Sequence, residues 1–588
     1  MSRRNDRGLA RRRPVLFLAA GALLLAACTD SDDPEPDATG VDTVVTNSLP
    51  ATTTTPVDEG TETPDTPIVT DDTSVLDVLV PDGVRPFRPW ADECLDSCRS
   101  VASAVFEPLY EPGVGGSVIP WLAATAPVPN DDFTVWTVEL RDGVSFHDGT
   151  PFDADSVVAM WGLQSTAQPP VLQIARSGVV TVVAADTRTV VYQLAEPNAR
   201  FVDELIRTPL GLVFQPAAAA GDLTGFAQRP VGTGPYVVAF DEPGRRTVTV
   251  RHDAWWAADA LGEPAFDEVH FHSDQDLDGD LARNALVLAD GSTAVAALAE
   301  AAVPTVAATT SLTGVGVSFV VDRAPLDDEA VRAALAELAA GPDTAALLDG
   351  WTTTGFWTLN GLPGPPPPTT TTTADDGDAD NEQVPTTPTE VLAAYVADED
   401  RSDGAEPGTP IVLQLLCGTD LDQRTAAAAL QAVWGATALV DTRVSLLDDE
   451  TLRSTPAPEL ADGVVARCDD LGRAEGDPVA SLRAAFRDLT DDTGAVIDAN
   501  ASGFIDAELL ASLAAAQATN PGAARDDLAV TAQRQLATSA PFAMVGFPPV
   551  LAGATAQITG ISGWLGPDGT AGDGFADGVI RWQNVQPE

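Results

Sequence analysis

The sequence predicts an α/β fold, and three observations carry that expectation. Apolar residues alternate with polar ones in some segments and recur at helical spacing in others. The two kinds of segment follow one another along the chain, as in proteins with helices packed on a sheet. No segment repeats another at a fixed period.

The elements follow in order. Residues 133–140, FTVWTVEL, alternate strictly and predict a strand. Residues 153–164, DADSVVAMWGLQ, open on cap-type aspartates and continue at helical spacing. Residues 181–194 predict one hairpin, and 234–252 another that turns at Glu242-Pro243-Gly244. Residues 410–417, 421–434, 440–447 and 463–468 read as strand, helix, strand and strand, the pattern of a parallel α/β unit. Two Ala-rich helices are expected over 506–518 and 521–538.

Composition removes several functions at once. The 588 residues carry 87 acids and only 32 basic residues, none of them lysine. Without an ε-amine the chain can form no lysine Schiff base and can place no P-loop lysine on a phosphate. Its acidity leaves no basic footprint for nucleic acid and no polybasic stripe for anionic lipid. G-x-S-x-G and H-E-x-x-H are both absent, and there are four histidines in all. Carboxylate pairs are abundant, so an exported glycosidase stays open as a rival on composition alone.

The N-terminus carries a basic flank, Arg11-Arg12-Arg13, and a short apolar run, Val15 to Ala27, that stops at Cys28. That run is shorter than the roughly 20 residues needed to span a bilayer, and it predicts a cleaved secretory signal. The stretch Leu25-Ala26-Ala27-Cys28 resembles the cleavage site of bacterial lipoproteins. The resemblance implies removal of residues 1–27, lipidation of Cys28 and a lipid anchor in the membrane. The removed segment takes six arginines and one aspartate with it, leaving 26 arginines against 86 acids. Residues 28–73, rich in Asp, Thr and Pro, cannot bury a core and are expected to form a disordered tether. A second such stretch, 364–389, is expected to be a low-complexity surface insertion.

Four cysteines remain once Cys28 is set aside, and an even number in an exported chain favours disulfides. Cys94 and Cys98 could close a small loop, while Cys417 and Cys468 each end an apolar run and suit a bridge between neighbouring strands. The C-x3-C spacing without nearby histidines makes a poor zinc site. DQDLDG at 274–279 copies half of a calcium loop but has Ala285 where the bidentate glutamate belongs. His270 and His272 share one face of a predicted strand, yet no third ligand is evident in sequence. No metal and no cofactor is therefore expected. His147, on a turn without a nucleophile, is expected to be a structural hydrogen-bonding residue.

An ordered set of motifs resembles one family. VELRDGVSFHDGTPFDADSVVAMW (138–161), FEPLYEP (106–112), GGSVIPWLAA (115–124), RPVGTGPYVVAFDEPGRRTVTVRHDAWW (229–256) and APLDDEAVRAALA (324–336) occur in family order. They are similar to the family 5 extracellular solute-binding proteins of ABC importers, the peptide- and nickel-type receptors. The resemblance implies a two-lobed, periplasmic-binding-protein-like type II fold with a hinge and an inter-lobe cleft. Lobe I would comprise 75–310 completed by 541–588, and lobe II would comprise 311–540. It further implies a monomer, no enzymatic chemistry, a small-molecule or oligopeptide ligand, and delivery to an ABC permease and ATPase complex. A surface sensor that has lost transport is the second reading.

The same resemblance places the site. Glu107 and Tyr110 match the segment that reaches the cleft from lobe I. Trp351, Phe356 and Trp357 lie where the family runs along the cleft. In peptide receptors an acid of lobe II takes the ligand's amino group; here the matching stretch holds Glu475 and Asp477, departs from the pattern at Ala474, and has Asp469 and Asp470 as rival acids at a strand end.

Overall fold

The computed structural model describes residues 74–588 apart from 82, 85–86, 89–93, 95, 165–177, 209–210, 274–284, 312, 354–386, 457–459, 461–462, 472–477, 487–488, 491–495, 499 and 576. Several expectations lie outside the described residues: the signal segment, Cys28 and the tether, the 274–279 loop, Phe356, Trp357, Glu475 and Asp477. Among the described residues no helix is long and apolar enough to cross a membrane.

Two sheets organise the fold. Their strands, in chain order, are β1 (Val75–Leu79), β2 (Tyr236–Glu242), β3 (Arg246–Arg251), β4 (Glu268–His272), β5 (Ala285–Asp290) and β6 (Thr305–Thr310). Then come β7 (Gly314–Phe319), β8 (Ile411–Cys417), β9 (Val440–Leu446), β10 (Val464–Leu471), β11 (Phe542–Gly546) and β12 (Pro549–Ala554). The seven-stranded sheet of lobe I runs β2-β3-β4-β1-β5-β12-β6, and the five-stranded sheet of lobe II runs β9-β8-β10-β7-β11. β1 is parallel to both neighbours, as is β8.

The chain crosses between sheets twice, from β6 to β7 and from β11 back to β12. The lobe boundary expected at residue 541 is corrected by this pairing. Phe542–Gly546 is hydrogen-bonded to β7 in the lobe II sheet, so the return crossing falls at Phe547-Pro548.

Periodicity translated well into elements. The 133–140 run forms the strand Val135–Glu139, paired with Thr189–Leu194 in a separate four-stranded sheet. The helix expected at 153–164 spans Ala154–Gln164, and the two Ala-rich helices span Ala507–Gln517 and Ala523–Ser539. The β2–β3 hairpin turns through Gly244 at φ 78°, a left-handed conformation that costs glycine little. The insertion ends earlier than expected. Thr387 accepts from the Glu390 amide and Glu390 accepts from the Thr387 amide, a capping box that starts the helix Pro388–Ala397 inside the 364–389 stretch.

His147 holds a turn to the segment after it. The Gly232 N–H donates to Nδ1 at 3.3 Å, so Nε2 carries the proton and donates to the Gly234 carbonyl at 3.0 Å. Burial, which disfavours the imidazolium, lowers its pKa to about 4. The neutral ring thus supports the fold fully above the unfolded value near 6.5, and that support is lost as pH falls from there through about 4. It is worth on the order of 3 kcal/mol. In urea titrations the stability gap between wild type and His147→Gln should narrow as pH drops from 7 to 4; a constant gap would show that this ring is not held neutral.

The sulfurs of Cys94 and Cys98 lie 2.05 Å apart and those of Cys417 and Cys468 lie 1.98 Å apart, disulfide distance in both pairs. The second pair joins the end of β8 to the adjacent β10. A bridge spanning 51 residues would stabilise by roughly 3–4 kcal/mol on chain-entropy grounds. Unreduced exported protein should show no thiol reactive to iodoacetamide after denaturation, and reduction should lower its thermal midpoint.

Candidate functional site

A cavity of about 370 Å³ opens between the two sheets. Its lobe I wall comes from the C-terminal ends of β1 and β5, where parallel sheets place ligands, and from α1 (Ser97–Ala102). Its lobe II wall is the first turn of α2 (Leu421–Ala436), capped by Asp420. Among the described residues four carboxylates line it, Asp96, Asp290, Asp420 and Asp422, and no arginine or histidine does.

Each acid is positioned by the local backbone. Asp96 precedes the first turn of α1 with a positive φ of 49° and no capping bond from its side chain, and Ser311 Oγ donates to it at 2.6 Å. Burial, reinforced by the nearby Asp290 charge, pushes its carboxyl up to about 7. Asp290 ends β5 and accepts from the Ser97 amide at 3.0 Å. Asp422 reaches across from lobe II and accepts from the Ser292 amide at 2.7 Å and its hydroxyl at 2.6 Å. Its carboxyl is also raised, mainly by burial, with Asp290 and Asp470 adding to the shift. Gly291 fits this contact closely, since a Cβ there would come within 3.0 Å of the Asp422 carboxylate.

The residues expected from sequence are scattered by the fold. Asp470 stands nearest to the cavity acids: it accepts from Gln423 Nε2 at 2.9 Å and acts electrostatically on Asp422. Asp469, one residue earlier, points to the opposite face of β10. There it is paired with Arg467 at 3.2 Å and accepts from Ser318 at 2.9 Å, so its charge is already matched.

Glu107 is absent from the described lining of this cavity, and three indoles enclose it. Trp121 and Trp255 donate to Oε1 at 3.0 Å each, and Trp256 donates to Oε2 at 2.8 Å. Desolvation still pushes its pKa up to about 7, with the indole bonds opposing the shift. The Tyr110 ring is wholly buried in the lobe I core, which raises its pKa, and its hydroxyl has no partner among the described residues. Trp351 packs in the lobe II core beside Gly546 and does not line the cavity.

Sequence reasoning missed all four cavity acids, Asp96, Asp290, Asp420 and Asp422. Three of them carried a usable signal. Asp290 closes the apolar run ALVLAD, and Asp420-Leu421-Asp422 follows the apolar strand β8, so both mark strand ends or helix starts where polar groups face a cleft.

Comparison with known proteins places this architecture. The profile of bacterial extracellular solute-binding proteins, family 5 Middle, matches residues 117–492. The nickel-binding periplasmic protein of Escherichia coli (strain K12) is 28% identical over 173 residues, 29% of this chain and 32% of that protein. The glutathione-binding protein GsiB of Shigella boydii serotype 4 (strain Sb227) is 35% identical over 113 residues, 18% of this chain and 21% of the relative. The matched stretches thus span about a third or less of these curated relatives.

The likeness of fold extends much further. The murein tripeptide binding protein MppA of Escherichia coli superposes with TM-score 0.62 at 19% identity, covering 88% of this chain and 99% of that one. NikA from Brucella suis, in complex with Fe(III)-EDTA, gives TM-score 0.63 at 17% identity over 87% and 100%. These family members are binding proteins and not enzymes. The lobes, the double crossing and a profile match over more than half its length show that this chain belongs to the family 5 bacterial extracellular solute-binding proteins.

Proposed function

We propose that the chain is a membrane-anchored receptor that captures a small organic solute bearing a cationic group and delivers it to an ABC import permease. One observation carries the choice of ligand: among the described residues that line the inter-lobe cavity, four are carboxylates, and Asp290 adds to the upward shift of both Asp96 and Asp422. Like charges so placed raise one another's pKa, and an amine or guanidinium entering between them would relieve that repulsion. A peptide N-terminus has this chemistry, and MppA is described as a murein tripeptide binding protein. Asp422 would then serve twice, as a ligand group and as the bond that draws lobe II onto Ser292.

Calorimetry against a library of short peptides with free amino termini tests the reading. Removing an acid that pairs with the ligand should weaken binding by about 2–5 kcal/mol, so Asp422→Asn or Asp96→Asn should each weaken capture of a peptide by roughly 30-fold or more. Affinity should rise between pH 6 and pH 8, as Asp96 loses its proton near 7 and no longer has to be deprotonated by the incoming cation. Unchanged affinity in both variants, or a preference for anionic solutes, would remove the cationic-ligand reading.

Anchoring is tested separately. Replacing Cys28 by Ser should leave the protein unprocessed or released into the medium, and normal processing with partition into the detergent phase would exclude lipidation there.

A further inference from the structure

The geometry points to a transition-metal site on lobe I, formed by Asp77, His270 and His272, that would bind a divalent ion such as zinc and clamp β1 to β4. The sequence supplied the two histidines on one strand face, and the fold supplies the third ligand. β1 lies parallel to β4 with Asp77 directly opposite His270 and Leu79 opposite His272. The intervening residues Leu76, Val78, Val269 and Phe271 are fully buried on the other face, which forces these three side chains onto the same side.

The donor atoms are close to a coordinating arrangement. Asp77 Oδ1 lies 3.1 Å from His272 Nε2 and 3.8 Å from His270 Nδ1, and one donor atom from each residue lies within 4.8 Å of the others. Tetrahedral zinc with bonds near 2.0–2.1 Å holds its ligand atoms about 3.3 Å apart, so small side-chain rotations suffice. Two imidazoles and one carboxylate suit zinc, nickel, cobalt or copper, with the remaining positions left to water. The side chains keep 11–25% of their surface exposed, which gives an ion access from solvent.

Glu268 prepares one ligand. Its Oε2 lies 2.6 Å from His270 Nε2, which fixes the proton on Nε2 and turns the Nδ1 lone pair towards Asp77. Arg246 Nη2 sits 3.4 Å from Nδ1 and must swing away when an ion enters. At His272 the Nε2 now bonded to Asp77 ligates as the tautomer whose proton sits on Nδ1. None of the three ligands lines the acidic cavity, so this inference stands apart from the reading of solute capture.

The test is zinc titration of the purified full chain, carrying no polyhistidine tag, against a chromophoric chelator, with cobalt absorption as a second readout. One equivalent should bind and raise the thermal midpoint. His272→Gln and Asp77→Asn should each weaken binding well over tenfold, and Glu268→Gln about tenfold. Asp422→Asn should leave zinc affinity unchanged, which separates this site from the cavity. Circular dichroism of the metal-free variants controls for misfolding, and the tetrahedral cobalt bands should vanish in His270→Gln/His272→Gln even where the spectrum is native. Absence of stoichiometric binding, or binding retained in that double variant, would overturn the proposal.

Discussion

The two lobes depend on a pair of chain crossings laid side by side. β6 and β12 are neighbours in one sheet and β7 and β11 are neighbours in the other, so both connections leave and arrive at adjacent positions. The Ser311 amide donates to the Pro548 carbonyl between the crossings at 2.8 Å, while Thr352 and Phe547 exchange backbone bonds at 2.9 and 3.0 Å. Ser311 also donates its hydroxyl to Asp96. The segment joining the lobes and the acidic cavity thus share a hydrogen bond, and a change of charge at Asp96 acts directly on the connection between lobes.

Buried charge elsewhere serves position. Arg581 donates to Asp577 and to Glu111 and lies 4.8 Å from the Trp564 ring, with Arg99 close to the same aspartate. The carboxylates hold Arg581 firmly charged although burial opposes it. Such a cluster is tolerated because each ion meets an opposite one, and breaking it would leave a buried charge unmatched. It fastens the C-terminal segment to Tyr110–Gly113, and Ser100 bonds to Gly578 and Ile580 fasten that segment to α1. Glu107 follows the same logic with neutral partners, three indole donors replacing a cation.

The fold was far more legible in sequence than the site. Strands such as Val135–Glu139 and Ile411–Cys417, and helices such as Ala507–Gln517, follow from periodicity because burial of one face is a local property of the chain. Cysteine positions at the ends of apolar runs were informative for the same reason. The acid cavity was not legible, because Asp96 and Asp290 meet only where α1 packs beside the end of β5, and Asp422 joins them from lobe II. Glu107 shows the converse: its motif marked a special position, but the reason lies in Trp121, Trp255 and Trp256, two of them almost 150 residues away. Asp77 was invisible as a partner of His270 until the register of a parallel pair, some 190 residues apart in the chain, brought them opposite. The boundary at 541 was misplaced since nothing in PFAMVGFPPVLA distinguishes the half that pairs with β7 from the half that pairs with β5.

That last strand imposes an order on synthesis. Lobe II is drawn from one continuous run, so its sheet can close as soon as β11 has been made. Lobe I cannot, because β12 sits between β5 and β6, and β6 joins the sheet only through it. Until the ribosome has passed residue 554, the apolar edge of β5 stays open and β6 has no place to dock, and Arg581 and Trp582 are still to come. A chain emerging from its N-terminus therefore leaves the lobe I sheet incomplete until β12 has been made.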